Sequence, residues 1–349
     1  MAYSLDELRN VLPRMIKTSG WLYMIGASTL VKEYGPDGEM AVREWLRTWG
    51  DWRGKQLRKA HMAIGHPINM ESLCKYWDSA AATGHLMDDW INEGSWHPSN
   101  VRVPVKCRPG NCPISEPWRG NNFWQMGHVL CDEFHIHFVR GYHPDAVVVI
   151  PKCIMKRDEL CDFNFVMPQN AKEPGPVEFY PGEDVMLDWE TGTDEKAVLS
   201  GIRRKTRITA GRIYFLWKTL NKKFPESARS TFKSIMEKWA DSRSEALGQE
   251  QKETGWNGNP ADFYDHLDHP YGLVWGTQVE ETQKKLTVNV DYCPFAETWK
   301  WLGDDGTMSI FCETCYPRIG KNNQPALEGR LDKCMCKGDD SCRIRISKK

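Results

Sequence analysis

Two sets of cysteines share the same internal spacing, and this repeat constrains the fold more than any other feature of the chain. Four cysteines recur without a gap at a constant offset of 181 residues: Cys112, Cys131, Cys153 and Cys161 are followed by Cys293, Cys312, Cys334 and Cys342. Further upstream the offset becomes 190, which pairs Trp49 with Trp239 and Arg53 with Arg243. A fixed period of this kind predicts a structural unit that is present twice.

Each copy shows the same order of predicted elements, and that order indicates the fold class. In the first copy we predict helices over 15–34, 39–62, 69–94 and 121–140, and strands over 101–106, 146–155 and 160–166. The second copy repeats the later part as strand 285–290, helix 306–316 and a hairpin of 330–335 with 341–346. We therefore predict an α+β protein of two repeats related by a pseudo-twofold axis. Each repeat would pack an N-terminal helical layer on a small antiparallel sheet.

The repeat also places the domain boundaries. We predict a first repeat over 1–166 and a second over 201–349. The segment 167–200 between them is rich in Pro, Asp and Glu, a composition typical of a linker or of a strap over the surface. The basic run 203–207 that follows predicts a solvated helix start.

Charge and composition exclude several function classes. The 349 residues contain 46 Lys and Arg against 47 Asp and Glu, a net charge of −1, so no overall field attracts nucleic acid or an anionic membrane. Mean hydropathy is −0.58, and no apolar run approaches the roughly 18 residues of a membrane span. The start of the chain is acidic where a signal peptide is basic and then apolar. We predict a cytoplasmic protein with reduced thiols that acts on a small molecule, and homo-oligomer formation stays open.

The predicted helix over 121–140 concentrates reactive groups on one side. His128, Cys131, Asp132 and His135 stand at i, i+3, i+4 and i+7, so a helix places all four on one stripe. These are the ingredients of nucleophilic attack by Cys131, with the histidines moving protons and Asp132 assisting. They also suit a divalent metal such as Zn or Mn, held by His128, Asp132 and His135 and activating water. The competing interpretation is a stripe that simply faces solvent.

The second copy keeps only part of this pattern. Ser309, Cys312, Glu313 and Tyr316 occupy the equivalent positions, so the thiol and an acid remain while both histidines are replaced. This difference predicts that the first repeat is the active half. A weaker prediction places a thiophilic ion in the second copy, on Cys312, Cys315, Cys334 and Cys342, with buried structural thiols as the alternative.

Four further residues are candidates for binding the substrate. Arg53 or Arg140 could hold a carboxylate through a bidentate contact. Trp118 offers a flat aromatic face, and His143 lies in a histidine-rich segment just after the reactive helix.

Several short motifs, taken together, resemble one enzyme family. They are Cys112-Pro113, Cys131-Asp132, His143-Pro144 and the 157–163 hairpin, repeated as Cys293-Pro294, Cys312-Glu313, Gln324-Pro325 and 338–342. This arrangement resembles the L-2-amino-thiazoline-4-carboxylic acid hydrolase family, and the hairpin is similar to the end of 4-vinyl-reductase-type domains, which bind small ligands. The family resemblance implies hydrolysis of a carbon–nitrogen bond in a small cyclic amidine-like substrate that carries a carboxylate. Two departures are the fusion of two units and Arg157 at a position where the family has Gly.

Two other functions remain open at this point. One is a non-enzymatic sensor of a small ligand or metal. The other is a lyase, isomerase or dehalogenase that uses the same groups on a small aromatic or sulfur compound. The sequence does not separate either from a hydrolase.

Overall fold

The computed structural model describes residues 5–75, 90–91, 102–107, 112–121, 124–168, 170–175, 177, 194–267, 277–282 and 284–348. The chain divides into two compact units, Met1–Phe179 with Asp184–Ile208 and Tyr180–Glu183 with Thr209–Lys349. Each unit combines helices with a small antiparallel sheet, which confirms the predicted α+β class. Within the described ranges, no helix has the length and apolar character that crossing a bilayer requires.

The first unit begins with a long helical element, α1 (Leu5–Ala63), that is broken at Gly35. This residue has φ 58° and ψ −130°, outside the helical region, and Pro36 follows it. A Cβ on Gly38 would overlap the carbonyl oxygen of Leu30, although eight residues of straight helix would separate them by about 12 Å. The chain therefore folds back sharply at the break, as the Gly and Pro residues between 34 and 39 predict.

Short helices follow α1 and lead to the predicted reactive helix. They are α2 (Met70–Lys75), α3 (Glu116–Gly120), α4 (Trp124–Val129) and α5 (His135–Tyr142), with a single π-helical turn, Leu130–Phe134, joining α4 to α5. The helix predicted over 69–94 is correct only at its start, since Trp90–Ile91 forms a strand and residues 76–89 lie outside the described part of the chain. The predicted helix 121–140 is displaced, because Asn121 ends α3 and the helical segment starts at Trp124.

Backbone-to-backbone packing joins α5 to the second half of α1. A Cβ on Gly50 would lie 2.7 Å from the Phe134 carbonyl oxygen, and one on Gly54 would overlap the Phe138 carbonyl oxygen. Only hydrogen atoms at these positions allow the two helices to approach so closely. This contact determines where the reactive helix lies.

The sheet of the first unit contains β1 (Trp90–Ile91), β2 (Arg102–Cys107), β3 (Val147–Lys152) and β4 (Cys161–Val166), in the order β1-β2-β4-β3. All neighbours are antiparallel. The predicted hairpin is confirmed, but β3 ends at Lys152 because Ile154–Lys156 forms a 3₁₀ turn. Arg157 closes this turn with φ 73°, so it adopts the left-handed conformation that glycine favours.

The second unit presents the same order of helices and strands. Its helices are α6 (Glu195–Lys223), which begins in the first unit, α7 (Ala228–Thr254), α8 (Pro260–Asp265), α9 (Pro294–Trp301) and α10 (Ser309–Ile319). Its strands are β5 (Thr277–Thr282), β6 (Lys285–Val290), β7 (Leu327–Lys333) and β8 (Cys342–Lys348), in the order β5-β6-β8-β7. Strand β6 has the predicted bounds, because alternation of Leu286, Val288 and Val290 buries one face.

Residues 178–193 of the segment predicted as a linker lie outside the described part of the chain, so that prediction remains a prediction. The end of the segment and the basic run that follows it differ from expectation. Helix α6 begins at Glu195, inside the segment predicted as a linker, since the Asp194 carboxylate accepts a hydrogen bond from the Ala197 N–H (2.9 Å) and caps the helix. The basic run is not a solvated helix start either. Arg204, Lys205 and Arg207 are all buried, and Arg204 donates a hydrogen bond to the Ser200 hydroxyl one turn earlier.

Candidate functional site

The π-helical turn divides the predicted reactive stripe into two sets of side chains. Cys131 points inward and is buried, whereas His128 and Asp132 are partly exposed. The His128 Nδ1 lies 2.9 Å from one carboxylate oxygen of Asp132, and Lys156 Nζ donates to the other oxygen at 2.9 Å. Single π turns within α-helices occur frequently at functional sites, because they reorient neighbouring side chains.

Cys131 belongs to a cluster of three buried thiols. Cys153 precedes the 3₁₀ turn Ile154–Lys156, and Cys161 is the first residue of β4. The thiols of Cys131 and Cys161 both neighbour the Cys153 sulfur closely enough to act on its pKa. The Cys161 sulfur in turn accepts a hydrogen bond from the Ile154 N–H at 3.2 Å. A helix, a turn and a strand therefore meet at Cys153.

Hydrogen bonding within the cluster moves the thiol pKa values apart. The bonds from Cys131 and Cys161, with help from the Met155 N–H and against the effect of burial, lower the pKa of Cys153 to about 3. Donation to Cys153, together with burial, raises the pKa of Cys131 and of Cys161. The cluster therefore favours the thiolate form at Cys153 and disfavours it at Cys131, the sulfur selected from the sequence.

His135 begins α5 one helical turn after Cys131 and is partly exposed. Its Nδ1 donates to the Cys131 carbonyl oxygen (3.0 Å), and its ring lies 4.9 Å from the ring of Phe163. Burial lowers its pKa, so the imidazole is neutral at pH 7. Because Nδ1 carries the proton, Nε2 has the basic lone pair.

The second unit contains an equivalent thiol cluster around Cys334. The Met335 N–H donates to the Cys342 sulfur at 3.2 Å, and the Cys334 N–H donates to Asp339 at 2.7 Å. The first unit has matching bonds from Ile154 to Cys161 and from Cys153 to Asp158 (2.6 Å). Hydrogen bonds from Cys312, Cys336 and Cys342 lower the pKa of Cys334. One arrangement of thiols, turn and strand is thus present in both units.

The two clusters differ at the positions that decide their chemistry. Tyr316 takes the place of His135, so the imidazole is absent from the second cluster. Cys336 takes the place of Met155 and adds a thiol. The sulfur atoms of Cys312, Cys334 and Cys336 all lie within 4.8 Å of one another.

The structure does not assemble either of the predicted metal sites as such. In the described part of the chain, Cys312, Cys334 and Cys336 form the one group of three or more His, Cys, Asp or Glu residues whose ligand atoms converge. The His135 Nδ1 is bonded to the Cys131 carbonyl oxygen, whereas His128 and Asp132 pair with each other, so the three side chains do not converge on one point. The Cys315 sulfur is directed at the Met236 carbonyl oxygen (4.0 Å) rather than at this group.

Three of the four predicted substrate-binding residues are buried among other side chains. Trp118 is fully buried against Tyr23, with ring centroids 5.0 Å apart. Arg53 is buried over the Phe138 ring, at 5.6 Å from its centroid. His143 is also buried; its Nδ1 accepts from the Asp145 N–H (3.1 Å) and its Nε2 donates to the Lys172 carbonyl oxygen (3.0 Å). Arg140 alone among the four is exposed.

Sequence reasoning assigned no chemical role to Cys153 or Cys161, and it did not include Cys336 among the ligands predicted for a thiophilic ion. For the first two, the constant offset of 181 residues was the available signal, since it marked them as strongly as Cys131. For Cys336, the signal was a thiol two residues after Cys334 that has no counterpart in the first copy.

Comparison with known proteins supports the family resemblance for part of the chain. Residues 204–346 match the family model described as L-2-amino-thiazoline-4-carboxylic acid hydrolase. No curated protein matches. Among solved structures, a trafficking protein particle complex subunit 3 from Naegleria fowleri, covalently bound to palmitic acid, is 14% identical with a TM-score of 0.27; the match covers 42% of this chain and 96% of that one.

Proposed function

We propose that this protein is a hydrolase that opens a carbon–nitrogen bond in a small cyclic amidine-like substrate carrying a carboxylate. The family match at 204–346 suggests the reaction class. The observation that carries the proposal is the cluster of Cys131, Cys153 and Cys161 beside the neutral imidazole of His135. The matched region contains the equivalent thiols, so we take the two units to be copies of one family domain, with the first as the active copy.

Cys153 is the nucleophile in this proposal, and Cys131 and Cys161 position it. Two thiol donors hold its sulfur as a thiolate, the form of cysteine that attacks carbon. The sulfur forms a bond to the amidinium carbon, and the C=N electron pair moves to nitrogen. The ring C–N bond then breaks, with His135 Nε2 carrying a proton from one nitrogen to the departing one.

Water completes the reaction by hydrolysing the thioimidate. His135 Nε2 takes a proton as the water oxygen bonds to the same carbon, and the C–S bond breaks to restore the thiolate. One water is consumed, and the proton that the amidinium brought leaves on the released amine. Arg140, the exposed candidate, holds the substrate carboxylate.

The test uses the full-length protein with 2-aminothiazoline-4-carboxylic acid and follows, by mass spectrometry, a product heavier by one water. We expect Cys153→Ser to lower kcat by at least about 1,000-fold, and His135→Gln by about 100-fold or more. Cys334→Ser, the matched change in the other unit, should leave kcat within about twofold, since it lies outside the proposed reaction.

Other results would redirect or refute the proposal. Loss of activity in Cys334→Ser but not in Cys153→Ser would move the reaction to the second unit. A product of unchanged mass would indicate an isomerase or a lyase. Failure of the unaltered protein to convert cyclic amidine carboxylates would refute the hydrolase function.

A further inference from the structure

We propose that the second unit binds one thiophilic d¹⁰ ion, Zn²⁺ or Cu⁺, through the sulfur atoms of Cys312, Cys334 and Cys336. All three sulfur atoms lie within 4.8 Å of one another. In a zinc site with Zn–S bonds of about 2.3 Å, sulfur ligands are separated by about 3.8 Å. Small side-chain rotations therefore suffice to bring three thiolates onto one ion.

Two elements hold the three sulfur atoms in place. Cys312 lies on α10, and Cys334 and Cys336 belong to the tight turn between β7 and β8. Hydrogen bonds from the Lys337 N–H to the Cys334 carbonyl (2.8 Å) and from the Gly338 N–H to the Met335 carbonyl (3.0 Å) close this turn. A preformed turn reduces the conformational entropy that ion binding would otherwise cost.

Burial and charge both suit an ion at this position. Cys312 and Cys334 are buried, whereas Cys336 is partly exposed and leaves a route from solvent. Lys337 adjoins Cys336, and its ammonium group pairs with Glu313, so one cation lies beside the proposed ligands. The partly exposed side also leaves room for a fourth ligand such as water.

The type of ligand selects the type of ion. Sulfur ligands prefer Zn²⁺ and Cu⁺, whereas Mg²⁺, Ca²⁺ and Mn²⁺ prefer oxygen. The first unit provides an internal comparison, because Met155 stands where the second unit has Cys336. This inference does not depend on the proposed hydrolase function, since it uses none of the thiols of the first cluster.

The experiment measures ion binding by the full-length, reduced protein after treatment with a chelator. Zn²⁺ is added alone, Co²⁺ is added as a spectroscopic substitute, and Cu⁺ is presented against a competing chelator. We expect one ion per chain and, with Co²⁺, the intense thiolate-to-cobalt charge-transfer absorption. Cys336→Met, which installs the residue of the first unit, should weaken Zn²⁺ binding by more than about 100-fold, the upper range for loss of a group that merely supports a ligand. Because a thioether also binds Cu⁺, the variant that tests the Cu⁺ site is Cys336→Ser. Cys315→Ser should bind like the unaltered protein.

Each outcome decides the inference. Binding of Zn²⁺ or of Cu⁺ alone supports the site and identifies its ion. Absence of stoichiometric binding of both Zn²⁺ and Cu⁺ by the unaltered protein overturns it whatever the variants do, and so does Zn²⁺ binding without the charge-transfer absorption of the Co²⁺ form. If Cys336→Met and a second variant, Cys336→Ser, both bind the ion as tightly as the unaltered protein does, the inference is also overturned, as it is by loss of binding in Cys315→Ser.

Discussion

Lys156 Nζ and Asp132 Oδ1 lie 2.9 Å apart, and this ion pair joins the 3₁₀ turn to the π turn of the reactive helix. The second unit contains an equivalent pair between Lys337 and Glu313, 181 residues later. Both pairs lie beside a thiol cluster. The helix, the turn and the following strand thus form one repeated unit, in which a partly exposed ion pair lies over buried sulfur atoms.

Asp132 and its neighbour Glu133 should respond differently to removal of their charge. Asp132 pairs at a partly exposed position, so Asp132→Asn should lower the free energy of unfolding by less than about 1 kcal/mol. Glu133 is nearly buried and accepts hydrogen bonds from Arg43 (2.9 Å) and Arg47 (2.7 Å). Glu133→Gln should therefore cost about 1–3 kcal/mol, measured by urea unfolding at pH 7.

Acid should reduce the difference in the free energy of unfolding between Glu133→Gln and the unaltered protein. Burial opposes the charge of Glu133, but hydrogen bonds from Arg47 and Arg43 outweigh it and lower its pKa below the ordinary 4.5. A group with a lowered folded-state pKa stabilises the protein above its unfolded pKa and ceases to do so as pH falls through the folded value. An unchanged difference down to pH 3 would contradict this account.

Arg157→Gly should stabilise the first unit. Arg157 has φ 73°, whereas the equivalent Gly338 has φ 95° and no side chain to strain. Glycine removes the strain of the left-handed backbone conformation, but it also increases the conformational entropy of the unfolded chain. The first effect should be larger, so the free energy of unfolding should rise by about 0.5–1 kcal/mol. Gly338→Arg is the reciprocal change and should destabilise by a similar amount. Denaturant titration of both variants measures the pair, and a destabilised Arg157→Gly would show that the Arg157 side chain makes a compensating contact.

Gly54→Ala should disrupt the packing of α1 on α5. The added methyl group would overlap the Phe138 carbonyl oxygen, which is backbone and cannot rotate away. We expect a loss of about 1–3 kcal/mol, the range for overpacked cores, seen as a lower melting temperature. Gly175→Ala provides the control, because a Cβ there meets no atom within 4 Å. Equal melting temperatures for the two variants would refute the close approach.

Cys293 should make the protein less stable in alkali. Burial raises the pKa of its thiol from the ordinary 9.0 to about 12. A raised folded-state pKa means that stability is complete below the unfolded pKa and declines as pH rises toward the folded value. Between pH 9 and 12 this thiol should contribute a decline of about 1.4 kcal/mol per pH unit. Cys293→Ser, whose hydroxyl does not titrate in this range, should unfold with a shallower dependence on pH.

Local patterns allowed much of the architecture to be predicted. The break near Gly35 and Pro36 and the bounds of β6 depend on neighbouring residues, and both predictions are confirmed. Helix α6 begins earlier than predicted. Asp194 caps its N-terminus, but Asp residues are equally typical of linkers, so the sequence did not indicate where the helix starts. The short strand Trp90–Ile91 was predicted as helix, because two residues carry too little alternation to indicate a strand.

The candidate site was harder to predict for a different reason. Spacing along one helix identified Cys131, Asp132 and His128, since side chains three and four residues apart are neighbours. The cluster joins Cys131 to Cys153 and Cys161, which come from a turn and a strand more than 20 residues away. No local pattern states which of several thiols will meet, or which will donate and which will accept.

The order of residues alone was sufficient for the repeated cysteines, the α+β class and the grouping of His128, Cys131 and Asp132 along one helix, because periodicity and offset are properties of the chain itself. The folded arrangement was needed to direct Cys131 inward and to separate it from His128 and Asp132. It was also needed to lower the pKa of Cys153 and to gather Cys312, Cys334 and Cys336. Burial, hydrogen-bond direction and convergence depend on segments that are distant along the chain, and only packing brings those segments together.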